Sequence, residues 1–165
     1  MVLSLAVAAQ VVLIDASYKP LEIEKYVDFI NLMTYDFHMF QWYWPFTGHN
    51  SALYPRSLDF GIFSTMNVNW SAHHWNKIGL SKEKIMIGIP AYGKRFTLLS
   101  TYMNFPGSIA VSGKEDCSYS FVCDFVRLNE ASVEVSGADH IFNNFNCEFV
   151  EIRRGSESAI RQQQL

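Results

Sequence analysis

The chain has 165 residues, of which 49% are hydrophobic and 18% are charged, and its formal net charge is −3 at pH 7. This composition is typical of a globular domain with a sizeable core, since a domain of about 150 residues buries roughly 68 to 70% of its unfolded surface. A weakly acidic chain without a Lys/Arg block lacks the charge pattern that attracts nucleic acid or anionic membranes, so neither partner is expected. No segment reaches the roughly 18 uninterrupted apolar residues of a membrane span.

The first 38 residues are predicted to form a strand, a helix and a second strand. Residues 2–14 are nearly all apolar and rich in Val and Ala, which favours a buried strand and its continuation, although periodicity alone leaves a helix open. Pro20 suits the first position of a short helix. Residues 29–38 form a second apolar run, which ends in Tyr35 and Asp36. Because ligands of α/β folds collect at the carboxyl ends of buried parallel strands, these two residues are site candidates.

Residues 37–67 are predicted to form a long loop, and loops of this length in a compact domain are usually functional. Either Asn67 or Asn69 can then cap a helix, which Gly79 ends. One stripe of this helix is apolar and is expected to face the core: Val68, Ala72, Trp75 and Ile78.

Residues 84–90 are predicted to form a third buried strand. Tyr92 follows its carboxyl end as Tyr35 follows the preceding strand, and a glycine comes directly after Tyr92. Tyr92 is therefore a second candidate for a ligand-binding aromatic residue.

Three segments, in order, match motifs of a known family. Residues 29–38 read Phe-Ile-Asn-Leu-Met-Thr-Tyr-Asp-Phe-His and resemble the motif Asp-Phe-Ile-Asn-x-Met-Thr-Tyr-Asp, which is that of the sixth strand in the family 18 chitinases. Residues 47–54, Thr-Gly-His-Asn-Ser-Ala-Leu-Tyr, and residues 84–98, which include Pro-Ala-Tyr-Gly-Lys-Arg-Phe, agree in order and spacing. The resemblance covers residues 2–98 and returns at residues 119–125, where Tyr-x-x-Val-Cys looks like the start of the family's small inserted domain. No resemblance is expected beyond that point.

The resemblance implies an α/β fold that forms an incomplete (β/α)8 TIM barrel, about strands 5 to 7, with the start of a small α+β insertion domain. We predict a partial barrel with the sugar-site loops over residues 1–98, and a partial insertion domain or poorly ordered tail over residues 99–165. A closed barrel typically needs about 250 residues, more than this chain has. The resemblance implies that the chain corresponds to the second half of such a barrel. Three strands without their neighbours leave one face and two edges open, which predicts aggregation or partial disorder of the isolated chain.

The resemblance also implies a chemistry. Family 18 chitinases cleave β-1,4-linked N-acetylglucosamine polymers with retention, and the acetamido oxygen of the substrate takes the place of a carboxylate nucleophile. Tyr35 matches the tyrosine that holds the acetamido group in line, and Asp36 matches an aspartate that contacts the sugar near the acid. The acid glutamate belongs to an Asp-Gly-x-Asp-x-Asp-x-Glu motif that is absent from these 165 residues. The chain by itself is therefore predicted to be hydrolytically inactive.

Five further residues are candidates for four substrate-binding positions of the family. Met33 matches a methionine of the pocket floor, with plain core packing as the alternative, and Tyr92 matches a tyrosine that borders the sugar subsites. Lys94 stands where many relatives carry arginine, so a compact ammonium group replaces a planar guanidinium group that can form two parallel hydrogen bonds. Either Trp42 or Trp44 matches the loop tryptophan of the +1 sugar. The expected ligands are chitin or chitooligosaccharides, and no cofactor or metal is expected.

The histidines do not form a convincing metal site in the sequence. His73 and His74 are adjacent on a predicted helix, so their side chains point about 100° apart and cannot chelate one metal as an i, i+4 pair would. His38, His49 and Asp36 could be drawn as a metal site or triad, but they lack a fixed Ser or Cys partner.

Three functional alternatives remain open from the sequence: a chitinase-family fragment of carbohydrate metabolism, a non-catalytic chitooligosaccharide-binding lectin, and a fragment that binds nothing. The family implies an extracellular location, although residues 1–9 lack the basic region of a signal peptide. Cys123 resembles a family cysteine that is normally in a disulfide, and either Cys117 or Cys147 could be its partner.

Overall fold

The computed structural model describes residues 1–100, 102–103, 105–118, 120–121 and 124. The contacts divide the chain into two compact units. The first, termed the α/β unit, comprises residues 1–37 and 51–90, and the second, termed the hairpin unit, comprises residues 38–50 and the described residues from 91 onwards. The predicted domain boundary after residue 98 stays a prediction. Within the described ranges, no helix is long and apolar enough to cross a membrane.

The α/β unit is built on a three-stranded parallel sheet. Its strands are β1 (Ser4–Ala8), β2 (Phe29–Met33) and β3 (Ile85–Ile87), in chain order with β2 at the centre. The register aligns all of β1 with β2, and the three residues of β3 lie beside Ile30 to Leu32. The α/β class is therefore confirmed, and the described residues contain no closed barrel.

The helices of the α/β unit are α1 (Val11–Ser17), α2 (Pro20–Ile23) and α3 (Val68–Lys77), with 3-10 turns at Gly61–Thr65 and Lys82–Lys84. The prediction that residues 2–14 form a strand and its continuation is wrong after Ala8, because the chain enters α1. Helix α1 buries only Ile14 and leaves Val12 and Leu13 exposed. The apolar run of residues 2–14 is therefore divided between a strand and a helix.

Helix α3 begins where the sequence predicted. The side-chain oxygen of Asn67 accepts a hydrogen bond from the backbone N–H of Trp70 at 2.8 Å, so Asn67 is the cap. Gly79, with φ +120°, follows the end of the helix in the left-handed region that favours glycine. The predicted apolar stripe of α3 packs in or against the core.

Trp75 is the largest fully buried side chain of the α/β unit. Its indole N–H donates to the carbonyl of Ala8 at 3.0 Å, and its ring lies edge-on to Tyr18 with centroids 5.2 Å apart. The Tyr18 hydroxyl in turn accepts from the Ala8 N–H at 3.2 Å. Trp75 thus joins α3 to the last residue of β1. The other fully buried apolar side chains of this core are Val7, Ile14, Ile30, Leu32 and Leu80.

The third strand differs from its prediction. Strand β3 covers only three residues rather than the predicted 84–90, and Met86 and Ile87 are 44% and 43% exposed. The side chains of Met86 and Ile87 are exposed because β3 is an edge strand of the described sheet. On the sheet face opposite the core, Ala6 pairs with Asn31 and both are exposed, in agreement with the open face expected for strands without a second covering layer.

The hairpin unit contains the antiparallel strands β4 (Tyr92–Leu98) and β5 (Ala110–Ser118). Residues 45–47 add to it through backbone hydrogen bonds, since Ala110 N–H donates to Pro45 at 2.7 Å and Thr47 N–H donates to Ser108 at 2.9 Å. Tyr92 therefore begins an antiparallel strand, whereas the sequence placed it at the carboxyl end of a parallel strand.

Glu24 connects the end of α2 to the turn before β3. The Ser81 hydroxyl donates to one carboxylate oxygen at 2.6 Å, the Ser81 N–H donates to the other at 3.2 Å, and the Lys84 ammonium lies 3.4 Å from the carboxylate. The hydroxyl bond from Ser81 is the main cause that lowers the pKa of Glu24 below its ordinary value of 4.5, against a smaller opposing effect of burial.

Ser81→Ala should lower the free energy of unfolding by about 1 kcal/mol near neutral pH, because the hydrogen bond to the carboxylate is lost. A folded-state pKa below the unfolded-state pKa means that the stabilisation is present above the unfolded-state value and is lost as pH falls through the folded-state value. Urea unfolding of both proteins at about pH 7 and about pH 3 should therefore show a difference that shrinks in acid. The exposed Ser57→Ala is the control, and an unchanged difference at both pH values would contradict the linkage.

Candidate functional site

A tight turn follows the central strand of the α/β unit. Tyr35 and Asp36 come two and three residues after the end of β2, and both are half-buried. Asp36 has φ +60°, the left-handed region that L residues with a side chain seldom adopt. Among the described non-glycine residues, Asp36 is the one with this conformation. The turn therefore changes the chain direction at the carboxylate that the sequence singled out.

The backbone before Asp36 is fixed by buried hydrogen bonds. The Ser51 hydroxyl donates to the carbonyl of Thr34 at 2.6 Å, and the Thr34 hydroxyl donates to the carbonyl of Gly88 at 2.7 Å. The N–H of Gly88 donates to the carbonyl of Leu32 at 2.8 Å. These contacts tie the end of β2 to the segment after β3 and to residue 51.

Gly88 is required for this close approach. A Cβ atom at residue 88 would lie 2.8 Å from the carbonyl oxygen of Leu32 and 3.1 Å from the ring carbon Cε1 of Tyr35. Both distances are tighter than ordinary van der Waals contact, so glycine lets the chain pass directly beside the Tyr35 ring.

Met33, the last residue of β2, is half-buried and does not belong to the core cluster. It pairs with Ala8 on the open face of the sheet. This placement leaves Met33 available as a wall of a site, and its role in the floor of a sugar pocket stays a prediction.

Tyr92 and Lys94 lie together in the hairpin unit. They are two residues apart on β4, and the Lys94 ammonium lies 4.9 Å from the centroid of the Tyr92 ring, which is cation–π geometry. Lys94 is only 7% exposed. The buried side-chain amide of Asn50 donates to the Tyr92 carbonyl at 3.1 Å, so the first residue of β4 is held from a second segment.

Trp42 and Trp44 lie on a turn that closes with a hydrogen bond from Trp44 N–H to the Gln41 carbonyl at 2.9 Å. Trp42 is 83% exposed, whereas Trp44 is 42% exposed and packs on Phe46 with ring centroids 5.0 Å apart. Trp42 therefore offers the larger accessible indole face, and Trp44 is the better anchored ring. The sequence left these two residues as alternatives, and both stay candidates.

A small cavity of about 130 Å³ lies beside Lys94 in the hairpin unit. It is lined by Met39, Phe40, Gln41, Lys94, Arg95, Phe96 and Gly113. Enclosed sites for small-molecule ligands usually have about 300 to 1,000 Å³, so this cavity is too small for a sugar. Apart from this cavity, the hairpin unit presents exposed aromatic rings, among them Trp42 and Tyr102.

The predicted site residues fall in two groups. Met33, Tyr35 and Asp36 come together at the end of β2, and the hairpin unit contains Trp42, Trp44, Tyr92 and Lys94. The sequence interpretation assigned no role to Gln10, Ser51 or Asn50, whose side chains hold the backbone at these positions. Gln10 follows β1 and could have been found by the strand-end rule that selected Tyr35.

The histidines make local contacts. The ring nitrogen Nδ1 of His38 lies 3.1 Å from the backbone carbonyl of His49, and Nε2 of His74 lies 2.7 Å from a carboxylate oxygen of Asp15. Among the residues that the structure describes, no group of three His, Cys, Asp or Glu side chains could hold a metal. Cys123 and Cys147, and the side chain of Cys117, lie outside what the structure describes.

A parallel sheet with polar and aromatic residues at the carboxyl end of its central strand is the arrangement of α/β enzymes and binding proteins. The chain matches the family model described as glycosyl hydrolases family 18 over residues 1–156. The protein belongs to glycosyl hydrolase family 18. The match continues past residue 125, so the expectation that the resemblance ends there is wrong.

The chain is similar to curated chitinases and chitinase-like proteins. It is 39% identical to Chitotriosidase-1 of Mus musculus over 110 residues, which are 67% of this chain and 23% of that protein. It is 42% identical to Chitinase-3-like protein 2 of Homo sapiens over 101 residues, which are 61% of this chain and 26% of that protein. The chain thus spans about a quarter of the length of these relatives.

Solved structures also relate the chain to chitinases and chitinase-like proteins. The second catalytic domain of the Group II chitinase of Ostrinia furnacalis superposes with a TM-score of 0.73 at 30% identity, over 81% of this chain and 36% of that chain. Human YKL-39, described as a pseudo-chitinase with retained chitooligosaccharide binding properties, gives a TM-score of 0.70 at 33% identity, over 76% of this chain and 37% of that chain. This likeness is consistent with an incomplete barrel, and the assignment to strands 5 to 7 stays a prediction.

Proposed function

We propose that the chain forms part of the chitooligosaccharide-binding surface of a family 18 chitinase or chitinase-like protein, and that these 165 residues alone do not hydrolyse chitin. The observation that carries the proposal is the Met-Thr-Tyr-Asp turn at the end of β2, with Asp36 held in a left-handed conformation. Membership of family 18 supports chitooligosaccharides as the class of ligand. From the same family membership we propose that the protein is extracellular.

Tyr35 supplies the central interaction in this proposal. Its phenol O–H can donate to the acetamido carbonyl of an N-acetylglucosamine unit, and Asp36 can accept hydrogen bonds from the sugar. In an enzyme that uses the acetamido oxygen as its nucleophile, such alignment is an entropic effect that reaches about 7 to 11 kcal/mol at its upper limit. In a binding protein the same contacts select the N-acetyl group.

The hairpin unit supplies a different kind of contact. The exposed ring of Trp42 is suited to stack on the apolar C–H face of a sugar, with Trp44 as the alternative. The hydroxyl of the half-buried Tyr92 can donate a hydrogen bond to the polar edge of a sugar, and the buried Lys94 ammonium lies against the Tyr92 ring, where it supports this residue. The exposure of Trp42 favours recognition on an open surface.

A non-catalytic lectin is the second candidate. One observation favours it: a 33% identical structural relative, human YKL-39, is described as a pseudo-chitinase with retained chitooligosaccharide binding. An in-frame acid motif upstream in the transcript would instead favour an enzyme of which this chain is a part. Sequencing that transcript separates the two candidates.

Calorimetric titration with the N-acetylglucosamine tetramer should give measurable binding to the chain, and Trp42→Ala should weaken it about tenfold, or ~1.4 kcal/mol. The stacked ring is lost in this variant, whereas Tyr102→Ala, at another highly exposed aromatic residue of the hairpin unit, should bind normally. A flat titration of the unmodified chain would refute the binding proposal. Hydrolysis of a fluorogenic chitobioside that disappears in Tyr35→Phe would refute the proposed inactivity.

A further inference from the structure

Gln10 stands at the N-cap of α1, but its side chain does not cap that helix. Ser, Thr, Asp and Asn are the side chains that usually cap a helix, and glutamine is not among them. The Gln10 amide instead donates to the backbone carbonyl of Asp36 at 3.0 Å, across 26 residues of sequence. The side chain therefore acts on the turn after β2 rather than on its own helix.

The turn is held at two carbonyls, one on each side of Tyr35. Gln10 binds the carbonyl of Asp36, and the buried hydroxyl of Ser51 binds the carbonyl of Thr34 at 2.6 Å. A left-handed non-glycine residue persists only where its surroundings hold it. Because the φ and ψ angles of Asp36 together set the relative orientation of the peptide units on its two sides, a fixed carbonyl on residue 36 restrains that conformation.

We propose that Gln10 and Ser51 are positioning residues that hold the carbonyls flanking Tyr35, keep Asp36 left-handed and so direct both side chains before a ligand binds. Neither residue needs to touch the ligand. The link to sugar affinity rests on the proposed function, whereas the effect on the backbone of Asp36 does not depend on it.

Gln10→Ser gives the sharpest test, because serine is a good cap for α1 but too short to reach Asp36. We expect the melting temperature to stay the same or rise, while the carbon chemical shifts and the φ-dependent coupling of Asp36 lose their left-handed values in NMR spectra. Affinity for the N-acetylglucosamine tetramer should fall about 3- to 10-fold, the usual effect of one hydrogen bond. Val12→Ala, at an exposed position in the first turn of α1, is the matched control and should change neither readout.

Gln10→Glu retains the size of the side chain and removes the donor, so it gives the same test if the serine variant folds poorly. Ser51→Ala removes the hydrogen bond to the Thr34 carbonyl, on the other side of Tyr35. We expect this variant to change the left-handed chemical shifts of Asp36 less than the Gln10 variants do. Left-handed shifts of Asp36 that survive both Gln10 variants would overturn the proposal. If the unmodified chain does not bind the tetramer, the proposed function fails, and the Asp36 shifts still decide whether Gln10 positions the turn.

Discussion

Trp75→Ala is expected to lower the free energy of unfolding by about 3 to 5 kcal/mol, the usual cost when a buried tryptophan is truncated. Trp75 is fully buried, contacts Tyr18 edge-on and donates its indole N–H to Ala8. The variant therefore leaves a cavity between α3 and the sheet and an unpaired carbonyl at the end of β1. Urea unfolding followed by circular dichroism measures the loss. Domains of this size are stable by about 5 to 15 kcal/mol, so the expected loss is a large fraction of the total stability.

Trp75→Phe separates the two contributions, because it keeps most of the ring volume and removes the N–H donor. We expect an intermediate loss of about 1 to 3 kcal/mol from the unpaired Ala8 carbonyl and the smaller ring. Trp70→Ala on the same helix is the control, since Trp70 is not part of the core cluster. A loss below about 1 kcal/mol for Trp75→Ala would show that α3 is not packed on the sheet as described.

Gly88→Ala is expected to weaken tetramer binding at least about tenfold, or ~1.4 kcal/mol, and to destabilise the fold by about 1 to 3 kcal/mol. The new methyl group would press on the Leu32 carbonyl and on the Tyr35 ring. The carbonyl cannot retreat without losing the hydrogen bond from Gly88 N–H, so the Tyr35 ring is the part that moves. Displacement of Tyr35 changes the proposed contact to the acetamido group.

Calorimetry with the tetramer and urea unfolding should be run side by side on Gly88→Ala and on Ile89→Ala, whose exposed side chain lies on the same segment. The control should bind like the unmodified chain. Normal binding by Gly88→Ala would mean that the position of Tyr35 does not matter for the sugar.

The parts of the fold that the sequence predicted are those with strong local patterns. The continuous apolar run into Tyr35 identified β2, and the cap at Asn67 with the apolar stripe and Gly79 identified α3. The Met-Thr-Tyr-Asp motif likewise located the turn that side-chain hydrogen bonds from Gln10 and Ser51 hold. In each case the residues that decide the structure are close together in the sequence.

The remaining features depend on contacts between distant residues. Nothing local in residues 2–14 indicates that the chain changes from β1 to α1 at Gln10, because strands and helices both accept apolar runs. The pairing of β4 with β5 is also non-local. The sequence did not predict a role for Gln10, because Asp36, whose carbonyl accepts its hydrogen bond, is 26 residues away. One local signal is that glutamine is not among the residues that usually cap a helix.

Residues of one core that lie far apart in the sequence have a consequence during synthesis of the chain. Strands β1 and β2 can pair once residue 33 has left the ribosome, but Trp75 and Leu80, which belong to the same core cluster as Val7 and Leu32, are made much later. Until then the nascent sheet exposes its apolar face, the kind of surface that chaperones bind. The order of elements along the chain thus leaves this core incomplete until α3 and Leu80 have been made.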